Sequence, residues 1–213
     1  PETHAVLKQV RKHLDQTHPD VILLAETNQT LELTKSYFGD GDECHLVYHF
    51  PLMKQLWLAL FRSDPGLVEV TVKKSFDIPE SCQWATFLRN HDDLSLSGIP
   101  PDSASELLNF FDPAHHYPFN EGESASVRIA NVFENDEARI LEAFALLYNT
   151  PGAPIMYYGD EIGMENLPLD SAIKDTRKYV RGKFNWEEAR RQMADPGSLW
   201  NNVARIIKGR VST

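Results

Sequence analysis

The chain has 213 residues, of which 42% are hydrophobic and 24% are charged. This is the composition of an ordinary globular domain, and it argues against disorder of the whole chain. A net charge of −10 without an offsetting basic cluster argues against a nucleic-acid surface, and no apolar run reaches the roughly 20 residues that span a bilayer.

The first predicted elements are a helix and a strand. Apolar side chains recur at helical spacing through residues 1–16 and predict an amphipathic helix. A short, continuous apolar run at residues 21–25 then ends in polar residues, as buried parallel strands do. Glu26 therefore lies at the carboxyl end of a predicted strand.

A second strand and helix follow the turn residues 38–42. The composition of residues 44–50 suits a strand, and Pro51 opens a strongly apolar helix that runs through Phe61. Residues 65–80 are expected to form a loop and a helix. This repeats the order of strand and helix along the chain.

Residues 84–93 show the most distinctive pattern in the chain. An apolar run rich in strand-forming residues stops abruptly at Arg89, Asn90, His91 and Asp92. We interpret this stretch as a buried strand with reactive side chains at its carboxyl end.

Weak periodicity distinguishes residues 93–134, which are rich in Ser, Pro, Asp and His. We interpret them as a long excursion above the strand ends, because loops of this length in compact domains are usually functional or disordered. Asn135 is expected to cap the helix that follows. Residues 153–158 predict another buried strand.

Strands that alternate with helices at this spacing predict βαβ units and a parallel sheet, so the fold class is α/β. Four strand-and-helix units are present, whereas a complete (β/α)8 TIM barrel has eight strands in about 250 residues. We therefore predict the C-terminal half, strands 5–8, of a barrel whose active site lies at the carboxyl ends of the strands. Residues 1–213 would form a partial catalytic domain, with residues 164–213 as a C-terminal extension that includes the last barrel helix. The chain begins at Pro1, not Met, as expected of a segment of a longer protein.

Residues 87–92 read Phe-Leu-Arg-Asn-His-Asp and are similar to a signature of the α-amylase family, glycoside hydrolase family 13, in which Asn-His-Asp closes the seventh strand. Residues 24–26 match the same family order at the fifth strand, and residues 157–163 match it after the eighth. Residues 37–53 look most like the trehalose synthases and related α-glucosidases of that family. One departure is that residues 175–186 stand where those members carry Arg-Thr-Pro-Met-Gln-Trp.

The resemblance implies retaining glycoside chemistry, which is carried by carboxyl groups. Glu26 matches the general acid/base, and burial at the strand end would favour its neutral, proton-donating form. Asp92 matches the carboxylate that stabilises the oxocarbenium-like transition state, and His91 matches the histidine that hydrogen-bonds the sugar. Asn90 and Arg89 either bind substrate or order the strand end. The alternatives are a capping or salt-bridged role for Glu26 and an Asx-turn role for Asp92.

The family's nucleophile has no counterpart here. It is the Asp of a Gly-x-Arg-x-Asp segment on the fourth strand, and this pentapeptide occurs nowhere in the chain. Loss of a nucleophile from a cooperating set abolishes most of the catalysis, so we predict an enzyme as the parent protein and an inactive chain by itself. Carboxyl groups carry this chemistry, so no cofactor and no metal site are expected. A structural calcium is common in the family, but its ligands would lie largely in the missing half.

Three functions are consistent with the pattern. The leading one acts on α-glucosides or malto-oligosaccharides as trehalose synthases do, by glucosyl transfer between maltose and trehalose. A hydrolytic α-glucosidase or α-amylase is the alternative, because the choice depends on how well the site excludes water. The third is a non-catalytic glucan-binding homologue. The expected partners are the sugar substrate and, through open barrel edges, a second copy or the missing N-terminal half.

The remaining polar groups are expected to have structural roles. Asp160 and Glu161 are expected to order a loop or to contact the rim. Cys44 and Cys82 fit reduced thiols at least as well as one disulfide, which favours a cytoplasmic location. A solvated charged face is expected from Lys174, Arg177, Lys178 and Arg181, together with Asp170 and Asp175.

Overall fold

The computed structural model describes residues 2–211. Over this range the strands are β1 (Leu24–Ala25), β2 (Leu46–Tyr48), β3 (Gln83–Phe87), β4 (Leu94–Ser95), β5 (Pro118–Phe119), β6 (Ser124–Ala125) and β7 (Ala153–Ile155). The α-helices are α1 (Glu2–Thr17), α2 (Leu31–Lys35), α3 (Phe50–Arg62), α4 (Gly66–Ser75), α5 (Pro101–Phe111), α6 (Ile129–Val132), α7 (Glu137–Asn149), α8 (Trp186–Ala194) and α9 (Leu199–Val211). Short 3-10 turns lie at Ser36–Phe38, Asn120–Gly122, Asp160–Ile162 and Thr176–Val180.

A four-stranded parallel sheet is the centre of the fold. Its strand order is β1-β2-β3-β7, and each neighbouring pair is parallel. The predicted α/β class with a parallel sheet is therefore confirmed. β1 is much shorter than the apolar run that predicted it, because Val21 and Ile22 are exposed and precede the paired residues. Because the strands are parallel, the carboxyl ends of β1, β2 and β3 lie side by side, and we call this border of the sheet its carboxyl edge.

Helix α3 packs its apolar face onto this sheet. Pro51 lies in its first turn, and the side chain of His49 caps it by accepting a hydrogen bond from the backbone N–H of Leu52 at 3.2 Å. Burial lowers the pKa of His49 to about 3, so the imidazole is neutral at physiological pH. Trp57 is fully buried and donates its indole N–H to the carbonyl of Leu88 at 2.7 Å. This bond ties the helix to the end of β3.

The excursion after β3 is an ordered layer. It contains a small antiparallel sheet of order β4-β6-β5 and helix α5, which the weak periodicity of the sequence did not predict. Leu107 and Phe111 of α5 are buried in the main core. Phe111 meets Trp57 edge to face, with ring centroids 5.0 Å apart. The same core therefore supports both the parallel sheet and the excursion.

The N-terminus of α7 differs from the prediction by one residue. Asp136 is the cap, and its carboxylate accepts hydrogen bonds from the backbone N–H groups of Ala138 and Arg139 at 3.0 and 3.3 Å. The prediction of Asn135 as the cap was wrong, because Asn135 adopts a left-handed conformation with a φ of 61° and redirects the chain into the helix.

A buried ion pair joins the excursion to the loop after β7. The guanidinium of Arg128 lies 2.9 Å from Asp160 and also donates to the carbonyls of Tyr158 and Val180. Burial raises the pKa of Asp160 to about 6, and this desolvation outweighs the opposing effect of Arg89 and Arg128. Of the two predicted roles for Asp160, ordering of the loop after β7 is the one that this geometry supports.

Two further findings concern the chain as a whole. None of the helices within residues 2–211 has the length and apolar content to cross a membrane. Cys44 and Cys82 are both buried and free, which decides between the two states that the sequence left open.

Candidate active site

A cavity of about 400 Å³ lies at the carboxyl edge of the sheet. Its lining comes from the ends of β1 and β3 and from the segments that follow β2 and β3, and it comprises Glu26, Asn28, Phe50, His91, Asp92, Asp93 and Ser95. Three of the predicted site residues converge there. A carboxylate oxygen of Glu26, a ring nitrogen of His91 and a carboxylate oxygen of Asp92 all lie within 4.8 Å of one another.

Glu26 follows directly after β1 and its side chain is exposed. The expectation that Glu26 would be buried was therefore wrong. β1 is an edge strand, and no described residue covers its outer side with a further strand. Tyr48 lies on the neighbouring strand β2, and its pKa is raised by burial and, to a lesser degree, by the charge of Glu26.

The side chain of Asn90 connects the carboxylate of Glu26 to the backbone of Asp92. Its Nδ2 donates to Oε1 of Glu26 at 2.9 Å, and its Oδ1 accepts the backbone N–H of Asp92 at 2.9 Å. Asn90 is itself buried at the end of β3. A single buried carboxamide therefore holds one oxygen of Glu26 and the backbone of Asp92 in a fixed relation.

Arg89 lies behind the site and is 1% exposed. Its guanidinium donates to the carbonyls of Asn90, Asp92 and Val127, and it lies over the ring of Tyr157 at 4.7 Å. Burial lowers the pKa of Arg89 to about 10, so it remains charged at neutral pH. Of the two roles predicted for Arg89, these contacts support ordering of the strand end, and Arg89 is not among the residues that line the cavity.

Two arginines reach Asp92 from the segment before α8. Arg181 places Nη2 at 2.5 Å from Oδ1 of Asp92 and donates from Nε to the carbonyl of His91 at 2.8 Å. Arg177 lies 3.4 Å from the same oxygen and pairs more closely with Asp175, at 2.9 Å. Both arginines keep about a third of their side chains exposed, as the predicted solvated face requires, and Arg177 pairs with Asp175 of that face. Their contact with Asp92 was not predicted. They follow Asp92 by 85 and 89 positions, so no local pattern in the sequence connects them to it.

The second oxygen of Asp92 faces the imidazole of His91. Nε2 of His91 lies 3.7 Å from Oδ2, and both side chains are accessible from the cavity. The site thus offers one exposed carboxyl group, one carboxylate held by arginine, and one imidazole. This set can protonate a leaving oxygen, face a developing positive charge and hydrogen-bond a polyol.

Comparison with known proteins shows which chains this one is similar to. The chain is 39% identical over 191 residues to a trehalose synthase from Thermus thermophilus, a match that covers 89% of this chain and 19% of the relative. It is 37% identical over 207 residues to a trehalose synthase/amylase from Mycolicibacterium smegmatis, covering 94% of this chain and 34% of the relative. The chain belongs to the α-amylase family. It thus spans only a fifth to a third of the length of these two relatives.

Solved structures agree with this assignment at the level of the fold. The crystal structure of an α-amylase from H.orenii superposes with a TM-score of 0.67 over 100% of this chain and 40% of its own, at 18% identity. No protein-family profile matches the chain. The similarity to the two trehalose synthases extends over nearly the whole chain, 89% and 94% of it.

Proposed function

We propose that this chain is the second half, strands 5–8, of the catalytic barrel of a retaining enzyme that processes α-glucosides. In this assignment β1, β2, β3 and β7 are the fifth to eighth barrel strands. The observation that carries the proposal is the link through Asn90, which holds Glu26 and Asp92 together at the carboxyl edge of a parallel sheet. Residues 1–213 form a partial catalytic domain, with residues 93–134 as its excursion above the strand ends and residues 164–213 as its extension.

Each converging side chain has a role in this chemistry. Glu26 protonates the leaving glycosidic oxygen and later removes a proton from the incoming hydroxyl group. Asp92 presents its carboxylate to the positive charge that develops on the sugar ring. His91 hydrogen-bonds the sugar, while Asn90 and Arg89 hold the strand end in place.

The nucleophile comes from outside this chain. Retaining enzymes need a second carboxyl group about 5–5.5 Å from the acid, and it forms the covalent glycosyl-enzyme. The exposed side of β1 is where a fourth barrel strand would deliver it. The chain by itself is therefore inactive, and the parent protein is an α-amylase-family glycosidase or transglycosylase.

Trehalose synthase activity, the transfer of glucose between maltose and trehalose, is the function most consistent with the relatives. Both relatives described above are named trehalose synthases, and the second is also named an amylase. Hydrolysis by an α-glucosidase or α-amylase is the alternative, since it uses the same carboxylates with water as the acceptor. A glucan-binding homologue without catalysis has no need of two linked carboxylates at one cavity. The two free thiols, Cys44 and Cys82, support a cytoplasmic location.

Product analysis of the full-length parent protein incubated with maltose tests the proposal. Trehalose as product supports transfer, and glucose alone supports hydrolysis. Glu26→Gln and Asp92→Asn should each lower turnover by about a hundredfold or more. Asp102→Asn, a matched change on the exposed first turn of α5, should not.

A second experiment measures the activity of the isolated 213-residue chain. It should show no hydrolysis of an aryl α-glucoside. Turnover that Glu26→Gln abolishes would show that no external nucleophile is needed. A parent protein that binds malto-oligosaccharides without any turnover would instead support the non-catalytic homologue.

A further inference from the structure

Lys54 is a buried cation on α3 that the chemistry above does not use. The residue is 4% exposed. Its ammonium donates to Oδ1 of Asn28 at 3.0 Å and to the backbone carbonyl of Ser97, and it lies 3.5 Å from the hydroxyl of Ser97. These partners are neutral, and within residues 2–211 no carboxylate pairs with Lys54. Burial lowers the pKa of Lys54 to about 8, so the amine is still largely protonated at neutral pH.

This ammonium is one member of a closed ring of hydrogen bonds. Asn28 donates from Nδ2 to the hydroxyl of Ser95 at 2.7 Å, and Ser95 donates to the hydroxyl of Ser97 at 3.4 Å. The ring therefore runs from Lys54 through Asn28, Ser95 and Ser97 back to Lys54. It fixes both ends of the Asn28 carboxamide, one by a charged donor and one by a hydroxyl.

The ring joins the two segments that carry the catalytic carboxylates. Asn28 comes two residues after Glu26, and Ser95 comes three residues after Asp92. Asn28 and Ser95 also lie in the wall of the same 400 Å³ cavity. Asn28 in addition lines two adjoining cavities of about 560 and 430 Å³, and Lys54 lines the second of these. The ammonium does not line the 400 Å³ cavity itself, but it binds Asn28, which does.

Packing alone does not explain a lysine at this position. Burying an ammonium among neutral acceptors costs free energy, and a methionine of similar length would fill the space without that cost. From the end of β3, Asn90 holds the carboxylate of Glu26 and the backbone of Asp92. Without a second link, the loop after β1 would be held to the rest of the site from that side only.

We propose that Lys54 is a positioning residue of this site: through Asn28 and Ser95 it holds the loop after Glu26 against the strand after Asp92, and so sets the relation between the two carboxylates. The inference rests on the proposed function, since it concerns catalysis by Glu26 and Asp92. Its structural part, the constraint on Asn28, stands independently of any activity.

Kinetics of the full-length protein test the catalytic part. Lys54→Met keeps the aliphatic stem and removes the donor, so kcat should fall about ten- to a hundredfold while KM changes little, as expected of misplaced catalytic groups. Lys74→Met is the matched control, because Lys74 lines the same 430 Å³ cavity from α4 with an exposed side chain. Equal effects of the two variants, or a loss of thermal stability with kcat unchanged, would overturn the proposal.

Ser95→Ala keeps the proposal testable if Lys54→Met does not fold, and a double variant tests the pathway if it does. Ser95→Ala removes a single hydroxyl from the ring and should lower kcat in the same direction. A Lys54→Met/Asn28→Ala double variant should be no worse than the poorer single variant, because both changes break one pathway. Full additivity would show that Lys54 does not act through Asn28.

A spectroscopic measurement separates failure of this inference from failure of the proposed function. The side-chain amide protons of Asn28 should be protected from exchange in the unaltered protein and should exchange faster in Lys54→Met. If no α-glucoside is turned over but this change is seen, the proposed function fails and the constraint on Asn28 stands. Unchanged exchange would overturn the role of Lys54, whatever the activity.

Discussion

At the scale of single residues, the site depends on how Asp92 is held. Its backbone is fixed by Asn90, and one carboxylate oxygen is held by Arg181. The side chains of Arg181 and Asp92 are about one-third exposed, so this pair is of the kind that stabilises a fold by only about 0–1 kcal/mol. Its value lies in orientation, because an aligned carboxylate faces the developing charge without reorganising.

Arg181→Met therefore separates stability from catalysis. We expect the free energy of unfolding to change by no more than about 1 kcal/mol. In the parent protein, kcat/KM should fall about tenfold, since the freed carboxylate can turn toward His91. Urea unfolding and steady-state kinetics measure the two quantities.

Lys178→Met is the control for this change. It removes one positive charge from the same segment at an exposed position that has no hydrogen bond to Asp92 in the described structure. An equal fall in kcat/KM in both variants would mean that the net charge of the segment matters and the contact with Asp92 does not.

At the scale of elements, local sequence signals placed the helices well and their ends less well. Helix α3 begins where Pro51 predicted it, because proline needs no backbone donor in a first turn. Helix α7 begins one residue later than predicted, since both Asn135 and Asp136 are competent caps and only the backbone conformation distinguishes them.

Substitution of Asp136 tests this cap. Asp136→Ala removes the acceptor for two backbone N–H groups and should lower the free energy of unfolding by about 1 kcal/mol. Asp136→Asn keeps an equivalent acceptor and should change it by much less. Thermal or urea unfolding measures both, and equal losses would show that the charge of Asp136 matters more than its cap bonds.

At the scale of the whole molecule, the open edge of the parallel sheet is the dominant feature. Apolar side chains are exposed in β1 and just before it, Leu24 at 42% and Ile22 at 57%, and Val6 and Val10 are exposed on the preceding helix α1. In a closed barrel another strand would cover this edge. An uncovered edge with apolar surroundings favours pairing with another chain.

We therefore predict that the isolated chain self-associates, or binds the N-terminal half of its parent when both are mixed. Sedimentation over a concentration series should show oligomers, and Ile22→Glu should shift the distribution toward monomer. Val70→Glu is the control, since Val70 is 56% exposed on α4, away from the strand edge. A stable monomer at all concentrations would contradict the prediction.

The sequence by itself determined the parallel α/β fold and the residues that converge on the cavity. Strand-forming runs that end in polar residues are local patterns, and parallel strands bring their carboxyl ends to one edge of a sheet. This pattern placed Glu26, His91 and Asp92 at strand ends, and the resemblance to the α-amylase family then assigned their roles. The exposure of Glu26 was missed because the burial of an edge strand depends on what covers it. The pattern of apolar residues along the sequence carries no information about this.

Only the tertiary structure decided which groups hold these residues in place. Arg181 reaches Asp92 from 89 positions away, and the Lys54 ring joins three separate segments. Helix α5 packs into the core, although it lies in a segment whose overall periodicity is weak. Such contacts are set by the packing of distant segments, whose free energy depends on the whole fold, whereas the patterns that predict a strand or a helix act within a few residues.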